Sequence, residues 1–269
     1  MKKILLTGAN GFVGKRIFET YKDSVVPSPS LRGMTEDAVR RVVEDSGADI
    51  IIHTAAISQI PVCEADPDAS YYANVLIPVY LAKAAAGRKL ICFSSDQVYS
   101  GSDQPGPYRE EDVSPSNVYS VHKLEMENRV LDICPDAVML RAEWMYDHDC
   151  GRDTFFSIVR DAKQPLTFSS HEYRGVTWRK EVADAMARVA ELPGGAYNFG
   201  SETDRSMYET VNAFASYLGK DITVEDIPAR HNLWMDCSKA RNSGVVFSSV
   251  LDGLKLCAEE YNERVAEKQ

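Results

Sequence analysis

Tyr119 and Lys123 stand four residues apart in Tyr119-Ser120-Val121-His122-Lys123, at the start of a helical pattern, so both side chains share one face. A lysine ammonium beside a phenol favours the phenolate and draws its pKa down from about 10. A tyrosine tuned this way can give a proton to a carbonyl oxygen, or take one from an alcohol, near neutral pH. Ser95, in Ser94-Ser95-Asp96, ends an apolar run and can hydrogen-bond the same carbonyl. A tyrosine and lysine at this spacing are common on helix surfaces, where they need no chemistry. Two features give the pair weight. Ser95 falls at the carboxyl end of a strand, where open α/β sheets bind ligands, and both elements follow a glycine turn in the expected order.

That turn is Gly8-Ala9-Asn10-Gly11-Phe12-Val13-Gly14, directly after Ile4-Leu5-Leu6 and opening a helical stretch. Glycines there permit a tight turn, backbone approach to a pyrophosphate and close helix–strand packing, while the helix start offers free N–H groups to phosphate. The spacing is GxxGxxG rather than GxGxxG. It predicts a nicotinamide dinucleotide site built from Gly8, Asn10, Gly11, Phe12, Val13 and Gly14. The stretch after the second strand, Val26-Pro27-Ser28-Pro29-Ser30-Leu31-Arg32, has no carboxylate for the ribose hydroxyls. Ser28 and Arg32 suit a 2′-phosphate, which favours NADP, with NAD as the alternative.

The elements that must position these residues alternate. Strands are expected at Ile4–Leu6, Ser24–Val26, Asp49–His53, Lys89–Ser94 and Ala137–Arg141. Helices are expected at Gly11–Tyr21, Thr35–Ser46, Ala69–Ala86 and Ser116–Leu131, the second capped by Thr35. Apolar strands alternating with helices predict an α/β fold, a Rossmann-type doubly wound parallel sheet. After about residue 145 the rhythm loosens. Helices are expected at Phe155–Lys163, Lys180–Glu191, Ser206–Leu218 and Val250–Ala266, with short strands at Tyr197–Phe199 and Ile222–Val224. Residues 1–145 therefore read as the dinucleotide-binding domain, with some later segments returning to it, and residues 146–269 mainly as a small α+β substrate lobe.

The 269 residues are 44% hydrophobic, enough for a substantial core, and the net charge of −10 argues against nucleic acid or an anionic membrane as partner. Six cysteines, Cys63, Cys92, Cys134, Cys150, Cys237 and Cys257, form no CxxC pair and no zinc-type cluster with histidine, so buried thiols and no metal are expected. The apolar start is too short for a signal peptide, and no run approaches a membrane span of about 18 residues. A cytoplasmic location is expected.

With these motifs in order, the sequence resembles an extended short-chain dehydrogenase/reductase, and within it the dTDP-4-dehydrorhamnose reductase group of sugar-nucleotide reductases. The resemblance covers nearly the whole chain. It rests on Leu6–Gly14, Asp49–Ala56, Cys63-Glu64-Ala65-Asp66-Pro67 with Asn74-Val75, and Phe93–Tyr99. Pro107–Asp112, Tyr119–Lys123, Leu140–Tyr146 and Asp236–Lys239 complete it. It implies Tyr119 as proton donor, Lys123 tuning it and holding the nicotinamide ribose, and Ser95 in a place usually filled by threonine. It further implies that His53, Thr54, Ala55, Ala56 and Ser94 line the cofactor, that Asn74 supports that wall, and that Asp96 and Trp144 lie near substrate. Arg174 and Arg179 are candidates for a substrate diphosphate, because guanidinium forks match phosphate oxygens. The resemblance implies NAD(P)-dependent reduction of a nucleotide-linked keto-sugar and a homodimer as the candidate assembly.

Departures keep two other readings open. A D-Q-x-G-x-P-T run usual in the group reads His171-Glu172-Tyr173-Arg174-Gly175-Val176-Thr177, and Gln97 stands where an aromatic is usual. The aspartate common before the second helix is replaced near Gly33-Met34. One alternative is a regulatory subunit that binds NADP and a partner enzyme. The other is a nucleotide-sugar epimerase or dehydratase, although Asp96-Gln97 is no obvious acidic pair. His122, one step from Lys123, points to another face of the helix. His148, Asp149 and His231 read as loop or surface residues, Glu110-Glu111-Asp112 as a loop cap, and Arg141 as a buried structural partner.

Overall fold

Consecutive strand residues point to opposite faces of a sheet, and here adjacent apolar residues enter different cores. Leu6, Ile52, Ile91 and Leu140 pack on one side, while Leu5, Ile51, Leu90 and Met139 pack on the other. The computed structural model describes residues 2–149, 154–228 and 232–267, so Cys150 and His231 lie outside the described residues. The chain runs β1 (Ile4–Thr7), α1 (Phe12–Thr20), β2 (Val25–Pro27), α2 (Glu36–Ser46), β3 (Ile50–His53), α3 (Ile60–Ala65), α4 (Pro67–Tyr71), α5 (Ile77–Ala85), β4 (Lys89–Ser95), α6 (Val118–Ile133) and β5 (Val138–Ala142). β6 (Trp144–Tyr146), α7 (Phe155–Arg160), β7 (Leu166–Phe168), β8 (Val176–Trp178), α8 (Arg179–Val189) and β9 (Gly195–Phe199) follow. The chain then adds α9 (Met207–Tyr217), β10 (Val224–Asp226), α10 (Ser238–Asn242) and α11 (Val250–Ala266).

Six parallel strands form the main sheet in the order β2-β1-β3-β4-β5-β9. The order reverses between β1 and β3, and a switch point of this kind opens a crevice at the strands' carboxyl ends. This is the Rossmann-type α/β architecture that the alternating pattern predicts. A third core gathers Phe155, Phe156, Val176, Phe214 and Leu254 around the short pairs β6–β8 and β7–β10.

Three details differ from the sequence reading. The helix expected over 69–86 is α4, a π-helical turn at Tyr72–Leu76, and α5. Pro78 has no N–H to return to the carbonyl four residues back, and the widened turn absorbs that defect. The strand at 195–199 joins the main sheet as its edge, and α8 packs on α1. β6, β7 and β8 are only three residues each, too short to show a period.

The turn from β1 to α1 lies hard against the end of β3. Gly8 has φ +74°, and a Cβ on it would sit 2.8 Å from Thr54 Oγ1. A Cβ on Gly14 would overlap the carbonyl oxygen of Gly8. Thr54 Oγ1 donates to the Thr7 carbonyl at 2.7 Å, tying the two strand ends together. Gly14→Ala should therefore destabilise the protein by about 1–3 kcal/mol, read as a lower denaturant midpoint in a guanidinium titration.

Candidate active site

The side chains singled out for chemistry surround one cavity of about 690 Å³ at the carboxyl ends of β1, β3, β4 and β5. α6 starts beside it because Asn117 and Ser120 cap each other: Asn117 Oδ1 accepts from the Ser120 N–H at 2.9 Å, and Ser120 Oγ accepts from the Asn117 N–H at 3.0 Å. The cap sets Tyr119 and Lys123 on the first turns, both buried and both lining the cavity. Ser95 ends β4, and its Oγ accepts from the Gln97 N–H at 3.2 Å, opening a 3-10 turn over Asp96–Tyr99. Ser95 Oγ also donates to Asp96 Oδ1 at 3.1 Å.

Burial dominates the electrostatics of this group. It pushes the Tyr119 phenol up, against the opposing pull of its hydrogen bond with Ser95, and Asp96 adds to the rise. Burial also pushes the Lys123 ammonium down to about 8. In this structure burial therefore outweighs any lowering of the Tyr119 pKa by Lys123. Lys123 Nζ lies 5.8 Å from the Tyr119 ring centre and donates to the Phe93 carbonyl at 2.6 Å, so desolvation of the phenol wins.

The dinucleotide candidates divide into three groups. Gly8, Gly11, Phe12 and Val13 line the cavity, as do Thr54, Ala55, Ala56 and Ser94. Gly14 and Asn74 stand behind that surface: Asn74 Oδ1 accepts from the Ile57 N–H and its Nδ2 donates to the Ile57 carbonyl, bracing the segment after β3. His53 is also behind it, its Nδ1 2.7 Å from Thr7 Oγ1, and burial followed by the charge of Lys123 pushes it down to about 3. Asn10, Ser28 and Arg32 lie outside the cavity, and Arg32 is exposed beyond β2 with no ion pair among the described residues. A dinucleotide fits the turn physically. Gly11 caps α1 without a side-chain acceptor and the first turn holds no acid, so its N–H groups and positive helix end suit phosphate.

The other end of the cavity carries Asp96, Trp144 and Arg174. Arg174 grips Asp96 Oδ2 through Nε at 3.0 Å and Nη2 at 2.7 Å, with its guanidinium 5.3 Å from the Trp144 ring centre. Arg179 does not reach the cavity. It is 2% exposed, and its guanidinium is taken by Asp147, Asp149 and the Phe12 carbonyl.

A model of the family described as RmlD substrate binding domain matches residues 1–266. The chain belongs to that family. Within it, the chain is an extended short-chain dehydrogenase/reductase of the dTDP-4-dehydrorhamnose reductase-like group. It is 27% identical over 238 residues to methionine adenosyltransferase 2 subunit beta of Danio rerio, covering 80% of this chain and 73% of that one. It is likewise 27% identical over 235 residues to the spore coat polysaccharide biosynthesis protein SpsK of Bacillus subtilis, covering 83% and 82%. Its fold is similar to that of dTDP-4-dehydrorhamnose reductase from Bacillus anthracis in complex with NADP, with TM-score 0.84, 22% identity and coverage of 97% and 99%.

For this RmlD family member the sequence reading missed one conspicuous side chain. Glu143 is 6% exposed yet lines the cavity, and Thr177 Oγ1 donates to its Oε2 at 2.8 Å. Its carboxyl fills the space left by Gly175 and Gly200, where a Cβ would overlap it. Burial pushes it up to about 8, Thr177 opposes the rise and Asp96 reinforces it. A single sequence lists Glu143 only as part of the run Leu140–Tyr146, because the glycines facing it come from distant segments. Three other readings are resolved by contacts. His122 Nδ1 meets Ser70 Oγ, away from the cavity, and His148 Nε2 meets Glu260 Oε1. Arg141 is buried on Glu127 and Tyr99. Among the described residues there is no group of acids, histidines and cysteines able to hold a metal, and no helix long and apolar enough to cross a membrane.

The Glu143 shift has a stability consequence. Between the ordinary carboxyl range and about 8 the folded chain keeps a proton that the unfolded chain releases, so stability falls as pH rises through that window. Relative to wild type, Glu143→Gln should gain Tm progressively from about pH 5 to pH 8, by up to several degrees, in thermal melts across that range.

Proposed function

We propose that this chain is an NADP-dependent reductase of a nucleotide-linked keto-sugar. The observation that carries the reading is the convergence of Ser95, Tyr119 and Lys123 on the cavity that also holds the glycine turn. The nicotinamide, when bound, would supply the hydride that the carbonyl carbon accepts. Tyr119 gives its proton to the carbonyl oxygen, and Ser95 hydrogen-bonds that oxygen as its charge grows. Lys123 holds the ribose and, facing the developing phenolate, stabilises it. The N–H groups of the turn at Gly11–Gly14 would hold the phosphates. Arg32 and Ser28 receive the 2′-phosphate, with NAD the weaker alternative. Residues 1–145 bind the dinucleotide in this reading, and residues 146–269 mainly hold the sugar.

The test is a panel of nucleotide-linked 4-keto sugars with NADPH and NADH, followed at the nicotinamide absorbance. Turnover of at least one sugar supports the reading, and none across the panel sinks it. Tyr119→Phe should cut kcat by about 10²–10⁴-fold while NADPH still binds, as read by its fluorescence. Arg32→Ala should raise the KM for NADPH by about tenfold or more and leave that for NADH unchanged.

A second reading has a specific observation behind it: the likeness to methionine adenosyltransferase 2 subunit beta along 80% of the chain. The departures at His171–Thr177 suit it too. Under that reading the chain binds NADP and a partner enzyme without hydride transfer. A partner that copurifies with the chain, together with no turnover of any keto-sugar, is the result that selects it.

A further inference from the structure

We propose that Glu143 contacts the substrate and determines specificity, presenting a carboxylic acid O–H to an uncharged acceptor oxygen of the sugar ring. The inference rests on the reading of the cavity as a keto-sugar site.

Four observations carry it. Glu143 lines the cavity together with Arg174, Trp144 and Asp96. Its slot exists because Gly175 and Gly200 carry no Cβ, which at either position would overlap the carboxyl. Its hydrogen-bonding neighbours among the described residues are both donors. Thr177 Oγ1 gives its one hydrogen to Glu143 Oε2 while itself accepting from the Ser201 N–H at 2.9 Å, and the Ser201 backbone also supports the carboxyl. The nearby cation is spent, because Arg174 places both Nε and Nη2 on Asp96 Oδ2.

A buried carboxylate with no cation in contact is strongly disfavoured, so the acid form prevails. The titratable groups facing it are Asp96 at the end of β4, Arg174 ahead of β8 and Cys237 ahead of α10. Asp96 and burial raise its pKa, and Arg174 only partly offsets them, consistent with the value of about 8. An acid whose Oε2 already accepts from Thr177 has one hydrogen left to donate, and the cavity that Glu143 lines is where a partner can stand. That partner must accept without carrying negative charge, because loss of the proton would set two anions against each other. A hydroxyl or ring oxygen of a neutral hexose meets the requirement. A carboxylate on the sugar would compete with Asp96 for Arg174 instead.

The experiment is calorimetric titration of the NADP-loaded protein with a dTDP-hexose at about pH 6.5, 7.5 and 9, for wild type, Glu143→Gln and Glu143→Ala. The glutamine N–H keeps a donor that does not titrate. Wild-type affinity should fall at least about fivefold from the middle to the highest pH, Glu143→Gln should show no such fall, and Glu143→Ala should bind about tenfold more weakly at neutral pH. Equal pH dependence in wild type and Glu143→Gln, or undiminished affinity in Glu143→Ala, overturns the inference. NADP affinity and Tm at neutral pH, measured for each variant, separate a lost contact from a damaged fold. Hexose binding without turnover of any keto-sugar overturns the reductase reading alone, and no hexose binding at any pH overturns both.

Discussion

The glycine turn can lie flat on the end of β3 because Gly8 and Gly14 present no side chain at the contact. Gly8 meets Thr54 and Ala55, Gly14 meets Gly8, and Thr54 closes the contact through the Thr7 carbonyl. This one close approach sets how far α1 sits from the sheet, and so where its free N–H groups point. It also fixes the segment after β3 as a wall of the cavity, with Asn74 bracing it from behind. Ser95 and α6 then approach the same space from β4 and its following turn. Without the contact, the residues that could do chemistry would have no common surface.

Burial of charge is the second organising force. Arg141 and Arg179 are taken out of water and Arg174 is partly buried, and each meets carboxylate: Arg141 with Glu127, Arg174 with Asp96, and Arg179 with Asp147 and Asp149. Pairing of that kind makes a buried charge tolerable without making the group available for reaction. Arg179 in addition donates to the Phe12 carbonyl, so the start of α1 and the chain after β6 share one guanidinium. Tyr119, Lys123 and Glu143 are treated differently. They are buried at the cavity with no counter-ion in contact among the described residues, and burial moves their pKa values toward the neutral forms. Groups perturbed in that way, gathered in one cleft, mark the candidate site.

The family places the chain among reductase-like folds, yet relatives of similar identity include both a polysaccharide biosynthesis protein and a subunit of methionine adenosyltransferase. A shared scaffold of this type supports several functions, and the site has to decide between them. The cluster of Ser95, Tyr119 and Lys123 weighs toward chemistry, and the altered run at His171–Thr177 makes the Arg174 end of the cavity this chain's own.

The residues of β1, α1, β3, β4 and β5 could be read in the sequence because each carries a local signal: an apolar run, a helical period, a cap, or a glycine turn at a strand end. The grouping of Tyr119, Lys123 and Ser95 at one cavity was legible for the same reason, since spacing and strand ends are properties of the chain itself. Other features depend on segments far apart in sequence. The joining of β9 to the main sheet, the diversion of Arg179 from the cavity to Asp147 and Phe12, and the upward shift of the Tyr119 phenol all follow from which atoms exclude water around them. Glu143 is the clearest case. The sequence by itself determined that a glutamate stands before Trp144, but only the tertiary structure set it between Gly175 and Gly200, away from any free cation, where burial makes it an acid that keeps its proton.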